Sequence, residues 1–147
     1  MRIIPFEPRH LRRVAPQPAQ AELALYRDWL ADRLDPYALR GCAFSGLIDG
    51  RIVGCAGVRP MWAGVGEAWA VFSVEALDRP VSLFRAAARG LAALEDAQGL
   101  RRIQASCHAG HDAGARFLRA LGFEREGLLR RYGLHGEGHY WLYARTR

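Results

Sequence analysis

The sequence predicts a single α/β domain over residues 1–147, with a mixed central sheet of about seven strands flanked by about four helices. Three observations carry this expectation. Short apolar runs of strand length alternate with segments whose apolar residues recur at helical spacing. An Asp-Gly pair sits between two of those runs and marks a hairpin. The strand–helix–strand order in the middle of the chain requires some parallel pairing beside the antiparallel hairpins. The length suits one domain, and half of the residues are apolar, enough for a core of its own.

Arg2–Phe6 reads as the first strand. Pro8–Val14 starts a helix that Pro16 and Pro18 stop. Leu23, Tyr26, Leu30, Leu34 and Tyr37 place one apolar stripe on a second helix over about Ala21–Leu39, ended by Gly41. Cys42–Val58 forms a hairpin, because Asp49-Gly50 suits the two positive φ angles of a type I′ turn. A further strand covers Ala68–Val74 and is entered through Gly64 and Gly66. Pro80 opens a helix with Asp78 near its cap, and Gly99 ends it. Its expected buried stripe is Phe84, Ala87, Leu91 and Leu94. Arg102–Cys107 is a strand, and His111–Leu121 is a helix with Gly114, Phe117, Leu118 and Leu121 on one face. Glu126–Tyr132 and His139–Ala144 are the last strands.

Composition narrows the chemistry. All 21 basic residues are Arg, so no lysine serves as base, nucleophile or Schiff-base former. The net charge of +6 is uneven, with about +3 in residues 1–20, −2 in 21–100 and +5 in 101–147. That distribution suits an anionic ligand or partner. Cys42, Cys55 and Cys107 are odd in number, widely spaced and without a CxxC pair, which argues for buried free thiols over a disulfide framework or a zinc site. Met61–Leu77, the most apolar stretch, carries Glu67 and Glu75, whereas a bilayer span needs ~20 apolar residues. Met1–Pro5 is too short for a signal-peptide core, so the expected location is cytoplasmic.

Three stretches share a pattern. They are IDGRIVGCAGV at Ile48–Val58, EAWAVFSVEALDRP at Glu67–Pro80, and HDAGARFLRALGFEREG at His111–Gly127 with its Gly122-Phe123 pair. In this order, over Ile3–Arg145, the chain resembles the GNAT acyltransferases. The tail, including LYAR at Leu142–Arg145, is also similar to small GNAT-like proteins encoded by phages. The resemblance implies an acyl-CoA ligand, acetyl-CoA as donor, and a small or protein amine as acceptor. It places the thioester along the central strand where two parallel strands splay, and the pyrophosphate on the N–H groups that start the next helix. The matching residues are Phe72 and Val74 on the strand, and Arg79, Val81, Ser82, Leu83, Phe84 and Arg85 in the turn and first helical residues. The family's phosphate loop carries glycines after a leading Gln or Arg. Here Arg79 leads and no glycine follows, so Arg79 and Arg85 would compensate by direct charge pairing.

Acetyl transfer requires an amine that loses a proton, a polarised thioester oxygen and a proton for the leaving thiolate. Three residues are candidates for catalysis. Glu67 heads the central strand, where the family often has a base and where burial would raise a carboxylate's pKa. His108 and His111 follow the strand that should line the splayed site, and histidine titrates near neutrality. Leu118 stands where the family has its Tyr acid and His111 where it has Asn, leaving Tyr132, Tyr140 and Tyr143 as possible hydroxyl sources.

Other readings are weaker. Cys107, His108 and His111 lack a fourth metal ligand at a telling spacing, and His135 and His139 lie in a glycine-rich hairpin, so no metal is expected. A Cys107–His108 dyad fails because strand neighbours point to opposite faces. A catalytically inactive GNAT-fold binding or structural protein, phage-related, is the alternative to an enzyme. Nucleic-acid binding through Arg101, Arg102, Arg116, Arg119, Arg125, Arg130 and Arg131 with Tyr132 and Trp141 ranks last, since no recognition motif accompanies them. Exposed arginine-rich strands at the C-terminus would suit a homodimer.

Overall fold

A computed structural model describes residues 1–22 and 41–147. The apolar stripe expected from Leu23 to Tyr37 lies outside the described residues. Among those described, the elements run β1 (Arg2–Pro5), α1 (Pro8–Leu11), β2 (Ala43–Ile48), β3 (Arg51–Trp62), β4 (Val65–Phe72), α2 (Val74–Leu77), α3 (Pro80–Gln98), β5 (Arg102–His108), α4 (Asp112–Ala120), β6 (Glu124–Leu129) and β7 (Tyr140–Thr146). The strands form one sheet in the order β1-β2-β3-β4-β5-β7-β6.

The Asp-Gly hairpin forms as the sequence predicts. Asp49 and Gly50 have φ of 48° and 78°, and Ile48 pairs with Arg51 across the turn. All neighbouring strands are antiparallel except β4 and β5. That parallel pair needs a crossover, and α3 supplies it. Proline at the first position of α3 costs no helical hydrogen bond, and Gly99 closes the helix in the left-handed conformation, φ 59°.

Alternation along the strands splits the core between the two faces. On one face Val58, Ile103, Ala105, Cys107 and Tyr143 pack with Leu91 and Leu94 of α3. On the other, Cys55 and Val71 pack with Leu11 and Val14, and Trp69 and Phe6 lie against them. The buried stripe of α3 is Leu83, Ala86, Ala87, Gly90, Leu91, Leu94 and Glu95. Leu83 therefore fills the inward position expected of Phe84, and the stripe includes a carboxylate. Glu95 is 2% exposed and bonds Arg145 (2.9 Å), which also donates to the Leu121 carbonyl. This clamp ties β7 to the end of α3 and to the turn after α4.

Several boundaries differ from expectation: α1 stops at Leu11, β3 runs on to Trp62, β6 is Glu124–Leu129 and β7 is Tyr140–Thr146. β4 covers Val65–Phe72 rather than Ala68–Val74, because it pairs with β3 from Trp62↔Val65 onward. Val74 instead opens the short helix α2, with Ser73 Oγ accepting from the Ala76 N–H. The cap turns the chain out of the sheet, so Val74 is not a strand residue.

A buried polar chain lies under α1. His10 Nδ1 accepts from the Glu7 N–H (3.2 Å) and contacts Ser45 Oγ (2.9 Å), which contacts Cys55 Sγ (3.5 Å). An accepting Nδ1 leaves the neutral ring's proton on Nε2, so Ser45 donates to His10 and Cys55 to Ser45. Burial lowers the His10 pKa below its ordinary 6.5, helped by Arg9 and Arg13 against Glu7. Burial pushes the Cys55 thiol up to about 11. A lowered folded-state pKa means that below pH 6.5 the unfolded chain binds a proton the fold refuses. Stability is thus full above that pH and declines as pH falls through the window beneath it. Urea unfolding at pH 7.5 and 5.5 should show a steeper loss for the wild type than for His10→Gln; equal losses would contradict this account.

Candidate active site

The two sides of β4 are unlike. Toward β3 it pairs from Val65 to Phe72. Toward β5 it pairs at Val65↔Arg102, Gly66↔Ile103 and Glu67↔Gln104 and, among the described residues, no further. Both strands continue beyond, β4 to Phe72 and β5 to His108, and β5 stays paired with β7 throughout. The sheet forks after Glu67 and Gln104.

A free strand edge inside a fold leaves backbone donors and acceptors that need partners. The segment before the undescribed residues supplies them. The Gln17 N–H donates to the Phe72 carbonyl (2.8 Å). The Gln20 side chain donates to the Ala70 carbonyl (2.9 Å) and accepts from the Phe72 N–H (2.9 Å), as a strand neighbour would. Gln17 Nε2 braces Gln20 Oε1 (3.2 Å). By strand alternation, the backbone groups of Ala68 also point into the fork.

The fork opens into a cleft of about 990 Å³. On one face of the sheet its walls include Ala87, Leu91 and Leu94 of α3, Gly114, Phe117 and Leu118 of α4, and Leu121 in the turn after it. On the other they include Trp69, Ser106, His108, Tyr132, Tyr140 and the Pro16–Glu22 segment.

Glu67 stands at the apex as the last paired residue, half-buried on the face away from α3. It is ion-paired with Arg59 directly across the ladder (2.5 Å), rather than isolated in an apolar pocket. His108 is exposed on the same face. Its Nδ1 accepts from the Gly110 N–H (3.1 Å), which leaves Nε2–H as the neutral ring's donor, and its ring meets Tyr140 edge-on at 5.2 Å. Tyr132 also meets Tyr140 edge-on, at 5.6 Å. Tyr140 donates to Glu22 Oε2 (3.4 Å), and burial followed by the Glu22 charge raises its phenol above the ordinary value. Tyr143 is 1% exposed in the core on the α3 face, away from the cleft.

His111 is brought to the α4 side instead. A Cβ on Gly114 would come within 2.4 Å of its ring and 2.9 Å of Cys107 Sγ, so glycine lets that ring lie over the first turn of α4. Burial, and then the charge of His108, lowers its pKa. Burial and Asp112 raise that of Cys107, whose thiol is thereby kept protonated. Among the described residues, no group of three or more His, Cys, Asp or Glu is placed to hold a metal, and no helix is long and apolar enough to cross a membrane.

The residues expected at the phosphates divide. Arg79 precedes α3 with its guanidinium exposed, 3.7 Å from Asp49. Pro80 has no N–H, and that of Leu83 is committed to the Arg79 carbonyl (2.9 Å), leaving Val81 and Ser82 as the first-turn donors without helical partners. Ser82 Oγ accepts from the Met1 amino group (2.9 Å). The Leu83 side chain is buried, Phe84 is half-buried and Arg85 exposed. Phe72 is buried on β4, its ring edge-on to Phe117 at 5.8 Å. Val74 is exposed on α2. Of the arginines considered for nucleic acid, Arg102 is held by Glu126 (2.9 and 2.6 Å), Arg125 lies 4.2 Å over Trp141, and Arg131 bonds the Gly136 carbonyl.

Gln17, Gln20, Glu22 and Arg59 were not among the sequence-predicted site residues. Pro16 and Pro18 read only as the stop of the first helix, and the one available signal was that the glutamines beside them could bond backbone.

No protein-family model matches the chain, and no curated protein matches it in sequence. Solved structures do match. A GNAT-family acetyltransferase from Bacillus anthracis is 18% identical with a TM-score of 0.72, over 98% of this chain and 93% of that one. A ribosomal-protein-alanine N-acetyltransferase from Brucella melitensis is 17% identical with a TM-score of 0.71, over 100% of both. A mutant spermidine N-acetyltransferase from Vibrio cholerae is 14% identical with a TM-score of 0.68, over 99% and 95%. The protein has the fold of the GNAT acetyltransferases.

Replacing Gln20 with Ala would leave the Ala70 carbonyl and Phe72 N–H without their protein partner, at about 1–3 kcal/mol if water does not replace it. Urea denaturation should show the loss, with Gln20→Glu intermediate because it keeps the acceptor and drops the donor. An unchanged midpoint for both variants would contradict the edge-bridging role.

Proposed function

We propose that the protein is an acyl-CoA-dependent N-acyltransferase that moves an acyl group, acetyl in the simplest case, from coenzyme A to an amine. The observation that carries this reading is the fork between β4 and β5, with strand backbone on both edges and a helix starting at its open end. The Gln20 carboxamide already rests on the β4 edge, so this edge is suited to amides, which the pantetheine arm of CoA carries. Arg79 and the Val81 and Ser82 N–H groups offer a seat for the pyrophosphate. The amine would approach from the opposite face, between His108, Tyr132 and Tyr140.

In the reaction the amine nitrogen bonds to the acyl carbon, that carbon's bond to sulfur breaks, the amine gives up a proton and the thiolate takes one. Glu67 at the apex is the group placed to take the amine proton, and Arg59 fixes its orientation. His108 presents Nε2–H as a donor for the substrate. Tyr140, whose raised pKa keeps its proton, is the candidate acid for the thiolate in place of the hydroxyl that Leu118 lacks. A second reading, a binding module without catalysis, draws on the glycine-free turn and on Gln20 occupying the β4 edge.

Calorimetric titration with acetyl-CoA tests the proposal. Saturable binding is expected, weakened about three- to tenfold in Arg79→Ala by loss of a charge-assisted phosphate contact. No binding at millimolar ligand would contradict the enzyme reading.

A further inference from the structure

We propose that the Gln20 side chain is a built-in competitor of the donor: it holds the stretch of β4 edge that the pantetheine arm of CoA must occupy, and leaves it when CoA binds. This rests on the acyl-CoA reading and adds an autoinhibitory contact to its donor site. The first observation is where the carboxamide sits. The Ser73 N–H bonds the Val53 carbonyl on β3 (2.9 Å), so by alternation the backbone groups of Ala68, Ala70 and Phe72 face the fork. Gln20 Nε2 donates to the Ala70 carbonyl and Gln20 Oε1 accepts from the Phe72 N–H, both at 2.9 Å. An arm with its sulfur at the apex beside Glu67 and its pyrophosphate at Val81 and Ser82 runs along that same edge.

The second observation is that the two occupants exclude each other. A backbone N–H carries one hydrogen, and that of Phe72 points at Gln20 Oε1. The pantetheine arm offers the same functions as the carboxamide, an amide N–H for Ala70 and an amide carbonyl for Phe72. A ligand carbonyl therefore bonds the Phe72 N–H only after Gln20 has released it.

The third is that this side chain can leave alone. Gln20 is half-buried and ends a short turn, Pro18–Gln20, in which its own N–H bonds the Gln17 carbonyl (2.8 Å). Gln17 is 7% exposed and anchors the segment by donating its N–H to the Phe72 carbonyl (2.8 Å), a bond in which the Gln20 side chain takes no part. Rotation of the Gln20 side chain thus clears the edge while the main chain stays docked. The further contact given up is the brace from Gln17 Nε2 (3.2 Å). Without donor the carboxamide satisfies the edge, and with donor the arm does, so these peptide groups keep a partner in both states.

The test titrates CoA into the whole chain by calorimetry, in the wild type and in Gln20→Ala. CoA no longer has to displace two hydrogen bonds in the variant, which should bind at least about fivefold tighter. The phosphorylated ADP half of CoA, which lacks the arm, should bind both forms alike. A second readout needs no variant: in proton–nitrogen NMR spectra of the wild type, saturating CoA should move the Gln20 side-chain amide signals to those of a solvated carboxamide. Equal or weaker CoA binding by folded Gln20→Ala, an equal gain for the armless half, or Gln20 amide signals unmoved at saturation would each overturn the inference, while CoA binding by the wild type upheld the acyl-CoA reading. Binding by Gln20→Ala and not by the wild type would support the inference in its strongest form. Binding by neither would overturn both readings.

Discussion

An unpaired backbone edge in the middle of a sheet is the constraint on which the rest of this structure depends. Buried peptide groups without partners are costly, and a strand that leaves its neighbour partway along must be compensated. β4 leaves β5 after three pairs, and the Gln17–Gln20 segment takes the neighbour's place at Ala70 and Phe72. That substitution lets the fork stay open without collapse. It also explains why the segment before the fork runs across it, and why a glutamine, carrying both a donor and an acceptor, stands where it does.

Elsewhere the fold holds the two halves of the fork in place. β1 to β4 form one antiparallel block, stiffened by the Asp49-Gly50 turn and the buried His10–Ser45–Cys55 chain. β5, β7 and β6 form the other, tied to α3 by Arg145 and Glu95, and to each other by Arg102 and Glu126. α3 joins the blocks from its start above the open end to its finish below the closed one. Much of the basic charge of the C-terminal strands is spent on these internal pairs.

Local physics was legible in the sequence and distant pairing was not. The hairpin, the proline start and glycine end of α3, and the one-sided apolar face of α4 follow from residues within a few positions of each other, and the structure shows them. The start of β4 at Val65 was hidden because Gly64 and Gly66 read as a loop, whereas the ladder with β3 decides it. Val74 read as strand because it continues an apolar run, yet Ser73 caps a helix there. Leu83 rather than Phe84 faces the core, a shift of one position that helical periodicity alone leaves open. The fork itself was expected from resemblance, while Gln20, Arg59 and Glu22 entered through contacts spanning 8 to 118 residues, which no local pattern encodes.

The central claim is that the fork holds the thioester arm of coenzyme A. A crystal structure of the protein with bound CoA tests it most directly. The account predicts the pantetheine chain between β4 beyond Glu67 and β5 beyond Gln104, with its pyrophosphate at Arg79, Val81 and Ser82. CoA bound elsewhere, or β4 and β5 zipped together through Phe72 and His108, would contradict it.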